Sequence, residues 1–220
     1  MGQKLLIDRL LQDSKTEWLG YVRHEFVEKL GNGTLSKTAF QYYLIQDYHF
    51  LINFARSYAL AGSLAKNLID LKHACNAMET ILFTEIQLHL DYCADWDLSP
   101  EDIIKADVDP ACRAYTNFIF SCATDQSLIK IYVAMAPCML GYASIGLNLK
   151  LHAATGSEYQ TWIDMYASED FQKAAESESN YLNQLSSSPN LSDQDYLELV
   201  TIFKKACRLE ASFWQMALDA

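Results

Sequence analysis

Residues 36–60 read SKTAFQYYLIQDYHFLINFARSYAL. Phe40, Leu44, Asp47, Leu51, Phe54 and Tyr58 recur at spacings of four and three, the period of one helix face. Strict alternation, which would indicate a strand, is absent. Ser36 stands ahead of the run as an N-cap, so the stretch predicts one long helix from Ser36 to about Leu60. One position breaks the pattern: a carboxyl, Asp47, stands in the middle of the apolar stripe.

The same period continues outward in both directions. A first helix is predicted over about 3–19, followed by a turn at Gly31-Asn32-Gly33-Thr34. A third helix covers about 66–93. Ser99-Pro100-Glu101-Asp102 has a capping serine, proline at the first helical position and acids at the positive end of the dipole. Helices follow over about 110–123 and 126–153. Gly156 interrupts, and shorter helices reach about Leu185. Ser186-Ser187-Ser188-Pro189-Asn190 has loop composition, and Ser192 with Asp195 caps a final helix that runs to the C-terminus. With no repeat and no second apolar core in the pattern, the expected fold is all-α: one helical bundle domain over residues 1–220.

Composition narrows the function classes. Half of the 220 residues are apolar and the formal net charge is −11, so the chain is globular in type and repels phosphate. No basic patch stands against that charge; the densest basic stretch is Lys204-Lys205 with Arg208. A nucleic-acid partner is therefore not expected. No uninterrupted run of 18 apolar residues is present, and the first nine residues carry charges every few positions, so neither a membrane span nor a signal peptide is expected. Six cysteines, at 75, 93, 112, 122, 138 and 207, include no Cys-x-x-Cys pair. They read as reduced thiols in a cytoplasmic protein.

Polar groups on apolar stripes carry the chemistry. An unpaired buried carboxylate costs several kcal/mol, roughly, so Asp47 must be paired, protonated or facing a wet cavity. A structural pairing with a tyrosine or a neighbouring helix explains it as well as catalysis does. The final helix repeats the anomaly, with Glu210 between Phe203, Cys207, Trp214 and Ala217. Its bland explanation is an ion pair with Arg56 or Arg113. Cys138 follows Pro137 on a stripe of Ile131, Met135, Tyr142, Ile145 and Leu149. Most buried thiols are small hydrophobes, but one beside a helix-interrupting proline and a turn from Tyr142 is a candidate nucleophile. A third acid, Glu85, shares a stripe with Met78, Ile81, Leu88 and Tyr92. Glu85 and His89 could hold a metal, yet no Glu-x-x-His is present and a di-iron bundle needs two, so no metal is expected. His24 is the one histidine placed for a haem, on weak grounds.

Four segments, Tyr43-Leu44-Ile45-Gln46-Asp47-Tyr48, Ala136-Pro137-Cys138-Met139-Leu140-Gly141-Tyr142, Tyr159-Gln160-Thr161-Trp162-Ile163-Asp164-Met165-Tyr166 and Leu209-Glu210-Ala211-Ser212-Phe213-Trp214, together resemble the TenA family (thiaminase II, aminopyrimidine aminohydrolase). The resemblance spans nearly the whole chain. It implies the haem-oxygenase-like all-helical fold without haem, no cofactor, a homotetramer, and a role in thiamin salvage. It also implies that Cys138 is the nucleophile, Glu210 the catalytic glutamate and Asp47 the ligand of the pyrimidine's amino side. Tyr115, Tyr142 and Tyr166 match pocket tyrosines. Phe50 stands where the family often has tyrosine, so a hydroxyl near the nucleophile is missing. Phe213 is expected to help enclose a flat ring.

The expected reaction is hydrolysis of 4-amino-5-aminomethyl-2-methylpyrimidine to the hydroxymethyl compound, with thiamin cleavage as a related reaction. It requires Asp47, Cys138 and Glu210 to meet around one cavity. A non-catalytic pyrimidine- or thiamin-binding regulator and a di-iron carboxylate oxidase are the competing readings.

Overall fold

The computed structural model describes residues 5–154, 156–187 and 191–220. All regular structure among them is helical. The chain divides into two compact units, Met1–Leu35 with Tyr132–Trp214, and Ser36–Ile131 with Gln215–Ala220. Each is assembled from two separated stretches of chain.

In the first unit the helix expected over about 3–19 is two, α1 (Leu6–Asp13) and α2 (Lys15–Val22), and a helix that no stripe had indicated, α3 (Glu25–Asn32), precedes the turn. Buried Ser14, at φ −113° and ψ 20°, breaks the chain between α1 and α2. His24 then caps α3, its Nδ1 accepting the Phe26 N–H at 3.3 Å. That is the role of this histidine, which sequence had left open to haem. The expected turn starts two residues late. Gly31 and Asn32 end α3, and Gly33 adopts φ +74°, which only glycine takes without strain.

The unit continues with α9 (Leu128–His152) from Tyr132 on, α10 (Gln160–Tyr166), α11 (Glu169–Ser186) and α12 (Asp193–Leu218) as far as Trp214. Pro137 lies inside α9 without ending it. Glycines on α9 mark close approaches: the Tyr21 ring occupies the space a Cβ would need at Gly141, and the Tyr166–Ala167 backbone does so at Gly146. α9 is the one described helix long and apolar enough to cross a membrane, with a best window of mean hydropathy 1.5, but 61% of that window is buried inside the protein. Of the serine-rich loop, Ser186 ends α11 and Ser187 caps it; 188–190 lie outside the described residues. Ser192 and Asp195 cap α12 reciprocally, at 3.1 Å from Asp195 N–H to Ser192 Oγ and 3.2 Å from Ser192 N–H to Asp195 Oδ2.

The second unit is built on α4 (Lys37–Leu64), capped as expected by Ser36 and one turn longer than its stripe predicts. The helix expected over 66–93 is divided into α5 (Leu68–Thr80), a π-turn (Ile81–Glu85) and α6 (Ile86–Ala94). The extra residue in the π-turn rotates the face that follows. The predicted stripe therefore fails after Ile81: Leu88 is exposed and Glu85 half-buried. α7 (Pro100–Lys105) and α8 (Pro110–Ser121) complete the unit. Gln46 of α4 fixes the start of α8. It donates to the Asp107 carbonyl at 3.0 Å and accepts the Asp109 N–H at 2.8 Å, while Asp109 caps the helix through Ala111 N–H.

A Cβ at Gly146 would lie 2.5 Å from the Tyr166 carbonyl carbon and 2.7 Å from the Ala167 nitrogen, backbone that cannot swing aside. Gly146→Ala is expected to destabilise the fold by about 1–3 kcal/mol, measured as a lower midpoint in urea with an unchanged slope.

Candidate active site

The stripe on α4 is buried as read except at half-buried Leu51, and Asp47 lies within it at 5% exposure. Its pairing is local. Tyr43, one turn back and fully buried, donates a hydrogen bond to the carboxyl. His89 of α6 places Nδ1 3.5 Å from Asp47 Oδ2, with both side chains nearly closed to solvent. The other imidazole nitrogen, Nε2, lies 2.8 Å from the Leu44 carbonyl, one turn along α4. Burial pushes the Asp47 carboxyl up to about 6, against the pull of His89 and Tyr43. Glu85 comes to the same place from the π-turn. Burial and the Asp47 charge raise it to about 7. Glu85 and His89, weighed in the sequence as a metal pair and set aside, stand in the structure near Asp47: His89 faces its carboxyl and Glu85 feels its charge, and among the described residues no three potential ligands are grouped to hold a metal.

Aromatic rings stand on the same helix. Phe50 is buried, stacked on Phe54 at 5.3 Å and on Tyr115 of α8 at 5.2 Å. The hydroxyl missing at position 50 would project from this stack. The two arginines weighed as partners for Glu210 are exposed in the second unit. Arg56 donates to Asn53 at 2.9 Å and Arg113 to the Val108 carbonyl at 3.0 Å.

The thiol and the second acid belong to the first unit. Cys138 follows Pro137 on α9 and is half-buried. Tyr142, one turn on, is buried among Trp162 (5.9 Å), Tyr166 (4.8 Å) and Trp214 (5.3 Å). Gln172 of α11 holds this arrangement, donating to the Tyr166 carbonyl at 2.8 Å and the Ala143 carbonyl at 3.0 Å. Trp162 and Gln172 carry no sequence signal beyond apolar and polar helix positions; only the packing shows their part. On α12, Glu210 is 2% exposed, Phe213 2%, and Trp214 closed and stacked on Phe26 at 4.8 Å.

None of the six cysteines forms a disulfide. Burial pushes the Cys93 and Cys112 thiols up to about 12, with Asp47 adding to both, and raises Cys207 as well, with Glu210 adding to it. Those three stay protonated near neutrality and are poor nucleophiles.

Comparison with known proteins accounts for the pattern. A model of the TENA/THI-4/PQQC family matches residues 11–220. The chain belongs to this family. An uncharacterized protein of Haemophilus influenzae is 41% identical over 216 residues, 97% of this chain and 99% of that one. An aminopyrimidine aminohydrolase of Halalkalibacterium halodurans is 31% identical over 212 residues, covering 96% and 94%. Among solved structures, a TenA family transcription regulator of Silicibacter sp. TM1040 superposes with a TM-score of 0.89 at 32% identity, covering 98% of this chain and 97% of that one. A haem-oxygenase-like domain of Shewanella denitrificans shares the fold at a TM-score of 0.74 and 17% identity, covering 97% and 92%. The TENA/THI-4/PQQC chain is thus all-helical and haem-oxygenase-like, as its sequence implied.

The raised Asp47 carboxyl has a thermodynamic consequence. A carboxyl whose folded value exceeds its unfolded one destabilises the fold once ionised, and that cost grows between about pH 4 and 6. Asp47→Asn keeps the shape without the charge. It is expected to raise stability by roughly 2–3 kcal/mol at pH 7 and to have little effect at pH 4, read from urea unfolding at both pH values.

Proposed function

We propose that the chain is a hydrolase of thiamin salvage that converts 4-amino-5-aminomethyl-2-methylpyrimidine and water to the 5-hydroxymethyl compound and ammonia. Thiamin cleavage is a second reaction of the same kind. The observation that carries the proposal is the end-to-end match to a relative named aminopyrimidine aminohydrolase, with Asp47, Cys138 and Glu210 each present in the motifs of that resemblance.

The chemistry follows from the residues. Direct loss of the amine from the exocyclic methylene is slow. The Cys138 thiolate adds to a ring carbon, which ends aromaticity and leaves an electron-rich enamine. The enamine expels the amine as ammonia, water adds to the methylene, and the thiolate leaves. Glu210 protonates the departing amine and then takes the proton of the attacking water. Asp47 binds the amino edge of the ring, and Tyr115, Tyr142, Tyr166, Phe50 and Phe213 enclose it. Burial supports these roles: it moves the Asp47 carboxyl toward the neutral range and keeps Glu210 out of bulk water, at 2% exposure. The half-burial of Cys138 supports its role as the reactive thiol, in contrast with Cys93, Cys112 and Cys207.

The proposed enzyme acts in the cytoplasm as one TenA-like domain assembled into a homotetramer. Exposed apolar side chains in the second unit support assembly: Leu68 and Ile69 on α5, Leu82 and Phe83 in the π-turn, and Leu88 on α6, with Phe83 78% exposed. Light scattering is expected to give the mass of four chains, and Phe83→Asp to reduce it.

Ammonia release tests the activity. Wild type is expected to turn over the aminomethylpyrimidine, and Cys138→Ser and Glu210→Gln to lose at least 100-fold, roughly, as expected for a nucleophile and a general acid–base. Full activity in Cys138→Ser would reject the covalent step. Phe50→Tyr is expected to raise kcat by restoring a hydroxyl; an unchanged or lower kcat would end that reading of position 50.

A further inference from the structure

The imidazole of His89 is pinned at one nitrogen. A backbone carbonyl can only accept, so at 2.8 Å from the Leu44 oxygen Nε2 carries the proton. A neutral imidazole then has its lone pair on Nδ1, and Nδ1 faces Asp47 Oδ2 at 3.5 Å. A bare carboxylate there would set lone pair against lone pair in a site nearly closed to water. A proton on either Nδ1 or Oδ2 removes that clash and leaves the pair neutral.

We propose that His89 is a positioning residue for Asp47: held by the Leu44 carbonyl, it shares one proton with the carboxyl and so fixes how the carboxyl faces a bound aminopyrimidine. This rests on the proposed activity for the identity of the ligand, but not for the placement of the proton. The amino edge of such a ring offers a nitrogen lone pair beside an N–H. The Asp47 oxygen that does not face Nδ1 can accept that amino N–H while the shared proton stays on the His89 side of the carboxyl. Moving the proton between Nδ1 and Oδ2 leaves the charge of the buried pair unchanged, so the carboxyl can adjust to its ligand without the cost of creating a net charge out of water.

The surroundings keep this exchange local. On α4 the neighbour of Asp47 is the Tyr43 hydroxyl, a donor. From the π-turn comes Glu85, whose carboxyl is pushed up to about 7 by burial and by Asp47. Cys93 of α6 and Cys112 of α8 feel the Asp47 charge and stay protonated. α5 meets α4 through Leu71 and Ala74 at Gly62, and α7 buries Ile103 and leaves Glu101, Asp102 and Lys105 exposed. Among these groups, His89 is the base placed to take the proton from Asp47.

Nuclear magnetic resonance tests the placement without substrate. In wild-type protein carrying 15N-histidine, the His89 signal is expected to show a proton on Nε2 across the pH range. A neutral form with the proton on Nδ1 and a bare Nε2 would overturn the proposal. In protein carrying 13C-aspartate, the Asp47 carboxyl, assigned through Asp47→Asn, is expected to titrate at least one pH unit higher in His89→Gln than in wild type, because the imidazole's positive charge is gone. An unchanged or lower midpoint would overturn it. The 15N experiment needs no variant, so it decides even where His89→Gln fails to fold. In the ammonia assay, the limb of the kcat/KM profile belonging to Asp47 is expected to move upward by the same amount in His89→Gln. Absence of ammonia release from wild type would remove the proposed activity and leave both resonance results to judge the proton.

Discussion

A carboxyl taken out of water needs a partner or a proton, and the second unit is organised around that demand. Asp47 meets it with three neighbours drawn from different turns: the Tyr43 hydroxyl, the His89 imidazole and, close by, the Glu85 carboxyl. The unit assigns one charge balance to four polar groups in an apolar interior. A buried polar cluster of this kind is costly when incomplete. His89 is tied to the Leu44 carbonyl, and α8, which carries Cys112 and Tyr115, is tied to Gln46.

The π-turn is the device that makes the arrangement possible. A regular helix over 66–93 would have kept Ile81, Glu85 and Leu88 on one face. The inserted residue turns Leu88 outward, to 57% exposure, while Glu85 stays half-buried near Asp47. The first unit solves a different problem. It packs large rings with little space between backbones, and glycines at 141 and 146 let α9 approach Tyr21 and the end of α10. Tyr142 is thereby seated among Trp162, Tyr166 and Trp214, one turn from Cys138.

Much of this was legible in the chain. The 3.6-residue stripes placed α4, α8, α9 and α12 to within a few residues, because an amphipathic helix writes its buried face into local spacing. Caps at Ser36, Ser99 and Ser192 were equally plain, since a capping side chain acts within three residues of itself. The breaks at Ser14 and after Thr80 were not legible: their flanking residues all suit a helix, and only packing against other segments selects the interruption.

The sequence by itself determined that Asp47 and Glu210 lie on faces that should be dry, and the structure buries both. It also named the family through motifs whose order along the chain is a one-dimensional property. It could not say what an odd residue touches. His24 and His89 were both candidate metal or haem ligands by spacing; one is a helix cap and the other the partner of Asp47. Tertiary structure alone decided these roles, because a hydrogen bond depends on distance and direction in space, and residues 42 positions apart in the chain come within reach only after the helices pack.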